Sequence, residues 1–228
     1  MSRILVTDGE QRSALAIVRS LGGAGHRVFV ISTRTRSLAG GSRHCAGEYS
    51  VPDPLRDADG YVEALADVAE MCGVDVIVPV TEASIHAILP VRSRFGGTLI
   101  PFPDYAAFRA VSDKALLMDK ARDMGIAVPR QRTVENQEQV PSLEVDLRFP
   151  AVVKPSRSVV PSARGRRKTS VVHVRNHVEL RGALEALPRE AFPALVQERV
   201  TGPGTGVFLL LWEGELLAAF CQIGRAHV

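Results

Sequence analysis

Cysteine is scarce in this chain. Cys45, Cys72 and Cys221 are odd in number, far apart and without a Cys-x-x-Cys pair, which excludes a disulfide framework and a zinc site. Long apolar runs are also missing, and the longest, Val207 to Trp212, cannot span a bilayer. The N-terminus passes from the strand-like Ile4-Leu5-Val6 straight to Asp8, leaving no room for a secretory leader. A soluble cytoplasmic protein with no membrane partner is the expectation. Nor is there a large excess of one charge: 28 basic residues face 25 acidic ones, and a net charge of +3 does not argue for nucleic acid. Internal repeats and low-complexity tracts are absent. What remains is an ordinary globular composition, 46% hydrophobic and 23% charged, in 228 residues that suffice for one large or two modest domains.

The first hundred residues alternate short β-branched runs with helical patterns. Ile4 to Thr7 is followed by a helix from about Gln11 to Leu21, on which Leu15, Val18 and Leu21 recur at helical spacing, and by a strand from Arg27 to Ser32. A third extended run, Glu48 to Val51, precedes a helix near Asp59 to Cys72, and Val74 to Val80 reads as a buried parallel strand. Such β-α steps predict a doubly wound parallel sheet, whose ligands sit at the carboxyl ends of its strands. The polar residues there are Asp8, Gly9 and Glu10, Arg34 and Arg36, and Thr81 and Glu82, each also an ordinary helix cap or solvated turn.

A second region starts near Asp104. Phe108, Val111, Ala115 and Met118 predict one face of a long helix ending at Gly125, and the polar stretch from Arg130 to Asp146 reads as connector. Strands follow at Ala151 to Lys154, Ser170 to Val174 and Ala194 to Val200, with a helix near Val178 to Leu187. Gly206 to Trp212 and Glu215 to Cys221 flank Glu213-Gly214, a hairpin signature. This half is antiparallel-rich α+β.

Between Ala151 and Val178 stand seven basic residues (Lys154, Arg157, Arg164, Arg166, Arg167, Lys168, Arg175) and no acidic one. A solvated loop, a nucleic-acid patch and a lid closing on phosphates all fit such a stretch, though it lacks the aromatic residues that stack bases. A P-loop at Gly165-Arg-Arg-Lys-Thr169 fails, because Ser162 and Arg167 stand where that motif needs glycine. His173 and His177 are four apart, but His173 lies in an alternating strand with no flanking carboxylate, so they do not form a metal pair.

The order of these pieces carries more than any one of them. Asp113-Lys114 opens a helical stretch that ends in Gly-Ile-Ala-Val-Pro129. Phe149-Pro-Ala-Val-Val-Lys-Pro155 then places a lysine at a strand end. The basic stretch and Leu195-Val-Gln-Glu-Arg-Val200, with its following glycines, complete the series. This succession resembles the ATP-grasp superfamily, preceded by the Rossmann-like domain its members usually carry, over the chain up to about Gln222. The resemblance implies an α/β architecture: a Rossmann-like parallel-sheet domain over residues 1–108 and the N-terminal part of an α+β ATP-grasp domain over 109–222.

It also implies roles. Lys114 and Lys154 match the family's two phosphate-contacting lysines, and Gln197, Glu198 and Val200 match the hinge that hydrogen-bonds the adenine edge. The stretch from Ser156 to Thr169, with Arg164 and Gly165, matches the mobile loop that folds over the phosphates of ATP. Enzymes of this kind activate a carboxylate as an acyl phosphate, which an amine then displaces, with Mg²⁺ bridging the triphosphate. Two departures stand out. The loop carries arginine where the family favours glycine, and Gly204 replaces the acidic residue that holds the ribose hydroxyls.

The family's metal ligands lie well downstream of the hinge, beyond the residues here. The tail Ile223-Gly-Arg-Ala-His-Val228 is one reading frame of ATCGGAAGAGCACACGTC, a widely used sequencing adapter, so residues 223–228 are expected to be non-native and the gene to continue. On that reading the chain itself has no turnover. Two other readings stay open. One is an NADP-dependent Rossmann oxidoreductase using Arg34 and Arg36, although the Gly-x-Gly-x-x-Gly fingerprint is absent. The other is a non-catalytic module that binds nucleotide or nucleic acid through the basic stretch.

Overall fold

The structure, a computed structural model, describes residues 1–144, 146–163 and 165–224. Arg164 and residues 225–228 of the expected tail therefore lie outside the described residues. Four strands, β1 (Arg3–Val6), β2 (Arg27–Ser32), β3 (Cys45–Ser50) and β4 (Val76–Val78), form a parallel sheet in the order β3-β2-β1-β4. Strand periodicity divides their side chains between two apolar layers. Ile4, Val6, Val28 and Val30 pack with Ala14 and Val18 of α1 (Arg12–Gly23). Leu5, Phe29, Ile31 and Ile77 pack with Tyr61, Leu65 and Val68 of α2 (Ala58–Cys72).

α2 stops at Gly73, whose left-handed backbone (φ 59°) suits glycine and turns the chain into β4. β4 is shorter than the Val74 to Val80 strand the sequence predicts. The buried Thr7 explains this: its N–H donates to Val78 O (3.1 Å), while its hydroxyl accepts from Val80 N (3.0 Å) and so bends the chain out of the ladder. α3 (Glu82–Ile88) follows, capped by Thr81.

The long helix expected after Asp104 is two helices. Asp104 caps α4 (Tyr105–Ser112), and Asp113, extended at φ −80°, ψ 109°, ends it and caps α5 (Lys114–Asp123). The apolar spacing runs through the break, but a carboxylate that can accept from free N–H groups makes a new helix start favourable there.

The expected connector holds β5 (Gln131–Val134). After it come β6 (Ala151–Pro155), β7 (Val159–Ser162), β8 (Gly165–Lys168), β9 (Val172–Val174), α6 (His177–Glu185) and β10 (Ala194–Glu198). These build an antiparallel sheet in the order β5-β10-β6-β9 and a separate β7–β8 ribbon. Val134, Val153, Val174, Ala194 and Val196 share a core with Leu180 and Leu184 of α6, so α6 covers one face of the sheet.

β11 (Gly204–Trp212) and β12 (Glu215–Gly224) pair with each other around Glu213 and Gly214, both at positive φ (51° and 85°), as the turn signal predicts. Among the described residues no helix is long and apolar enough to cross a membrane.

Candidate functional site

On the sheet face opposite α6, register sets Lys154 across from Leu195, and Gln197 across from both Val152 and Gln131. Lys154 is the one charged residue of β6, half-buried between the buried Val153 and Pro155. Its Nζ donates to Gln197 Oε1 at 2.7 Å, and Gln197 Nε2 donates in turn to Gln131 Oε1 at 3.0 Å. This chain fixes which way the Gln197 amide points, its oxygen toward the lysine. Gln131 escaped the sequence reading because it lies in the polar stretch that reads as connector.

Lys114 arrives from another element. As the first residue of α5 it is anchored by its N–H to Ser156 O (2.8 Å), and its Nζ reaches Ser158 Oγ at 2.8 Å. Asp113 accepts from the N–H groups of Ala115 and Leu116, takes the Ser156 hydroxyl at 3.4 Å and lies 4.0 Å from Arg157. Burial pushes the Lys154 ammonium below its ordinary range, and the positive charge of Lys114 adds to that push. Among the described residues neither lysine pairs with a carboxylate. Two close ammonium groups without a counter-ion, one of them desolvated, are an arrangement that an anionic ligand relieves.

Of the other expected residues, Glu198 points the opposite way along β10. Its carboxylate accepts from Arg148 N (3.0 Å) and lies 3.8 Å from Arg130. Val200 follows β10 and is exposed. The basic stretch is a hairpin rather than an irregular loop, its base closed by Thr169 N to Ser158 O (2.9 Å). Gly165, at φ 101°, lets the ribbon touch the segment before α2, where Arg166 N donates to Leu55 O at 2.6 Å and a Cβ on Gly165 would overlap that carbonyl. Arg166 Nη1 also donates to His86 O at 3.1 Å.

At the carboxyl end of the parallel sheet, Asp8 (φ 56°) accepts from Thr81 N and Oγ1 and from Ser84 Oγ, and Glu10 accepts from Ser32 Oγ. These contacts tie β1 to α3 and to β2, which accounts for Asp8 and Thr81 as structural fastenings. Among the described residues no three His, Cys, Asp or Glu side chains gather to hold a metal ion. A cavity of about 320 Å³ between the 140–144 segment and α6 lies apart from the lysine site.

No protein-family model and no curated protein matches the sequence. Solved structures do match in shape. An L-amino acid ligase from Bacillus licheniformis, 14% identical, superposes over 100% of this chain and 52% of its own with a TM-score of 0.71. N5-carboxyaminoimidazole synthetase from Staphylococcus aureus, 16% identical, matches over 97% of this chain and 54% of its own at 0.69, and its complex with ADP, 15% identical, over 96% and 54% at 0.66. The chain thus spans about half the length of each. These are ATP-grasp enzymes, and the arrangement of a four-stranded parallel sheet ahead of antiparallel ones is the ATP-grasp fold with its preceding Rossmann-like sheet.

Proposed function

We propose that this chain carries the nucleotide-binding half of an ATP-dependent ligase that joins a carboxylate to an amine through an acyl phosphate. The supporting observation is the nearness of Lys114 and Lys154, which come from two different elements and have no carboxylate partner among the described residues. The fold adds weight, since one of the similar structures is a complex with ADP.

Under this reading residues 1–108 form the Rossmann-like domain and 109–222 the nucleotide-binding part. Lys154 and Lys114 neutralise phosphate oxygens as point charges, and Gln197, oriented by Gln131, holds the Lys154 ammonium in place. The hinge at the end of β10, Gln197 to Val200, hydrogen-bonds the adenine edge with its backbone. The ribbon, with Gly165, covers the phosphates and excludes water. Bound ATP supplies the phosphoryl group that activates the carboxylate. Magnesium finds no cluster of ligands among the described residues. We therefore expect nucleotide binding by this chain without turnover.

Isothermal titration with ADP tests the reading. Binding that weakens in both Lys154→Ala and Lys114→Ala supports it, and its absence in the parent chain overturns it. ATP hydrolysis above background, lost in Lys154→Ala, would contradict the expected lack of turnover.

A further inference from the structure

A second cationic cluster lies where the β7–β8 ribbon meets α3 and α4. His86, half-buried on α3, has Nδ1 3.0 Å from the Tyr105 hydroxyl, and its ring meets Tyr105 and Phe108 edge-on, with centroids 5.8 and 5.3 Å apart. Arg109 stands four residues after Tyr105, on the same side of α4. Arg166 reaches His86 O from the ribbon. Arg157, at the base of the ribbon, is engaged elsewhere, its Nε 4.0 Å from the Asp113 carboxylate and its Nη2 donating to Phe192 O at 3.4 Å. Burial first, then the charges of Arg166, Arg109 and Arg157, hold His86 down at about 4, so the imidazole is neutral at physiological pH. No carboxylate figures among the charges that act on it, and among the described residues neither Arg109 nor Arg166 has an acidic partner. A Tyr105 hydroxyl that donates to Nδ1 puts the proton on Nε2, which is then a donor.

We propose that His86, Arg109 and Arg166 seat an anionic group of the substrate, a phosphate monoester or a second carboxylate, beside the nucleotide. This rests on the ligase reading and deepens it, because the carboxylate to be activated then belongs to a molecule with a further negative group. Two guanidinium groups that have no acidic partner among the described residues, beside a neutral imidazole, suit a small oxyanion. The set is separate from the lysine pair, which is held by Ser158 and Gln197 on the sheet face. The ribbon supplies Arg166, so the subsite is complete only while Arg166 N remains docked on Leu55 O.

His86 provides the readout. The full chain, labelled with ¹³C-histidine, is titrated by NMR from pH 3.5 to 8 alone, with inorganic phosphate and with glutarate, each also in saturating AMP-PNP. The expected result is a saturable rise in the His86 midpoint with at least one of the two anions, which persists with AMP-PNP bound. Phosphate alone points to a phosphate monoester and glutarate to a second carboxylate. In Arg109→Gln, an exposed substitution, the anion should bind about tenfold or more weakly, as for a lost hydrogen bond to a charged group. No response to either anion, an equal response in Arg109→Gln, or loss of the response on adding AMP-PNP each overturns the inference. The last outcome would assign the cluster to the triphosphate. Failure of AMP-PNP itself to bind strikes the ligase reading instead, and is seen separately in the same spectra.

Discussion

Lys154 and Gln197 share one face of the antiparallel sheet, and the 2.7 Å hydrogen bond between them is the one side-chain hydrogen bond of Lys154 among the described residues. A half-buried lysine near a strand end loses rotamer freedom and hydration, and a single neutral acceptor does not repay both. Lys154→Ala should therefore cost little in folding stability while weakening ADP binding tenfold or more, roughly the worth of one charge-assisted hydrogen bond. Denaturant midpoints measured beside ADP titrations check this. A large stability loss with unchanged affinity would make Lys154 a structural residue.

The depressed lysine also sets a pH dependence. Burial and Lys114 lower the affinity of Lys154 for its proton, so it loses its charge at a lower pH than a free lysine does. Phosphate binding favours the charged form. ADP affinity should fall as pH rises toward 10, sooner than for a protein with an ordinary lysine, and Lys154→Arg, which stays charged, should flatten the profile if it binds at all.

Much of the fold is legible in the sequence because apolar periodicity and turn chemistry are local signals. Leu5 and Val6 alternate between two layers, and Glu213-Gly214 marks its own hairpin. Three features are hidden for physical reasons. β5 is a sheet-edge strand paired only with β10, so Gln131 and Arg132 can stay polar and read as loop. The break at Asp113 interrupts no apolar pattern, since it comes from capping. The β7–β8 ribbon carries Arg166, Arg167 and Lys168 where strands usually show β-branched residues. At the site, Asp113, Lys114, Lys154 and Gln197 are suggested by motif order, whereas Gln131 and His86 are found only through contacts across distant parts of the chain.

Asp113 links the helix start to the ribbon. It accepts from two α5 N–H groups and from Ser156 Oγ. Asp113→Ala should cost about 1 kcal/mol, the usual worth of an N-cap, and Asp113→Asn should recover most of that. Thermal unfolding of the two variants measures the difference. If both match the parent, the cap contributes nothing measurable.

Gly165 permits the ribbon to dock. Its φ of 101° and the closeness of Leu55 O leave no room for a side chain. Gly165→Ala should release Arg166 N from Leu55 O, at a cost above about 1 kcal/mol for a positive-φ site. Hydrogen exchange at the Arg166 amide should quicken while amides in β1 and β2 keep their protection. Unchanged exchange at Arg166 would show that the ribbon docks without this contact.

His86 should make the chain acid-labile. Its folded-state pKa, lowered to about 4 from 6.5, means that the unfolded chain binds more protons than the folded one between these values. Stability therefore rises with pH across that window and falls as pH drops through it, with a slope of at most roughly 1.4 kcal/mol per pH unit for one group. The stabilising neutral form is fully present above about pH 6.5, and the penalty is complete below about pH 4. Urea midpoints at pH 7, 5.5 and 4.5 should decline more steeply for the parent than for His86→Gln, which has no proton to gain and can still pair with Tyr105. Parallel declines in the two proteins would place the acid sensitivity in the carboxylates and leave His86 without a part in it.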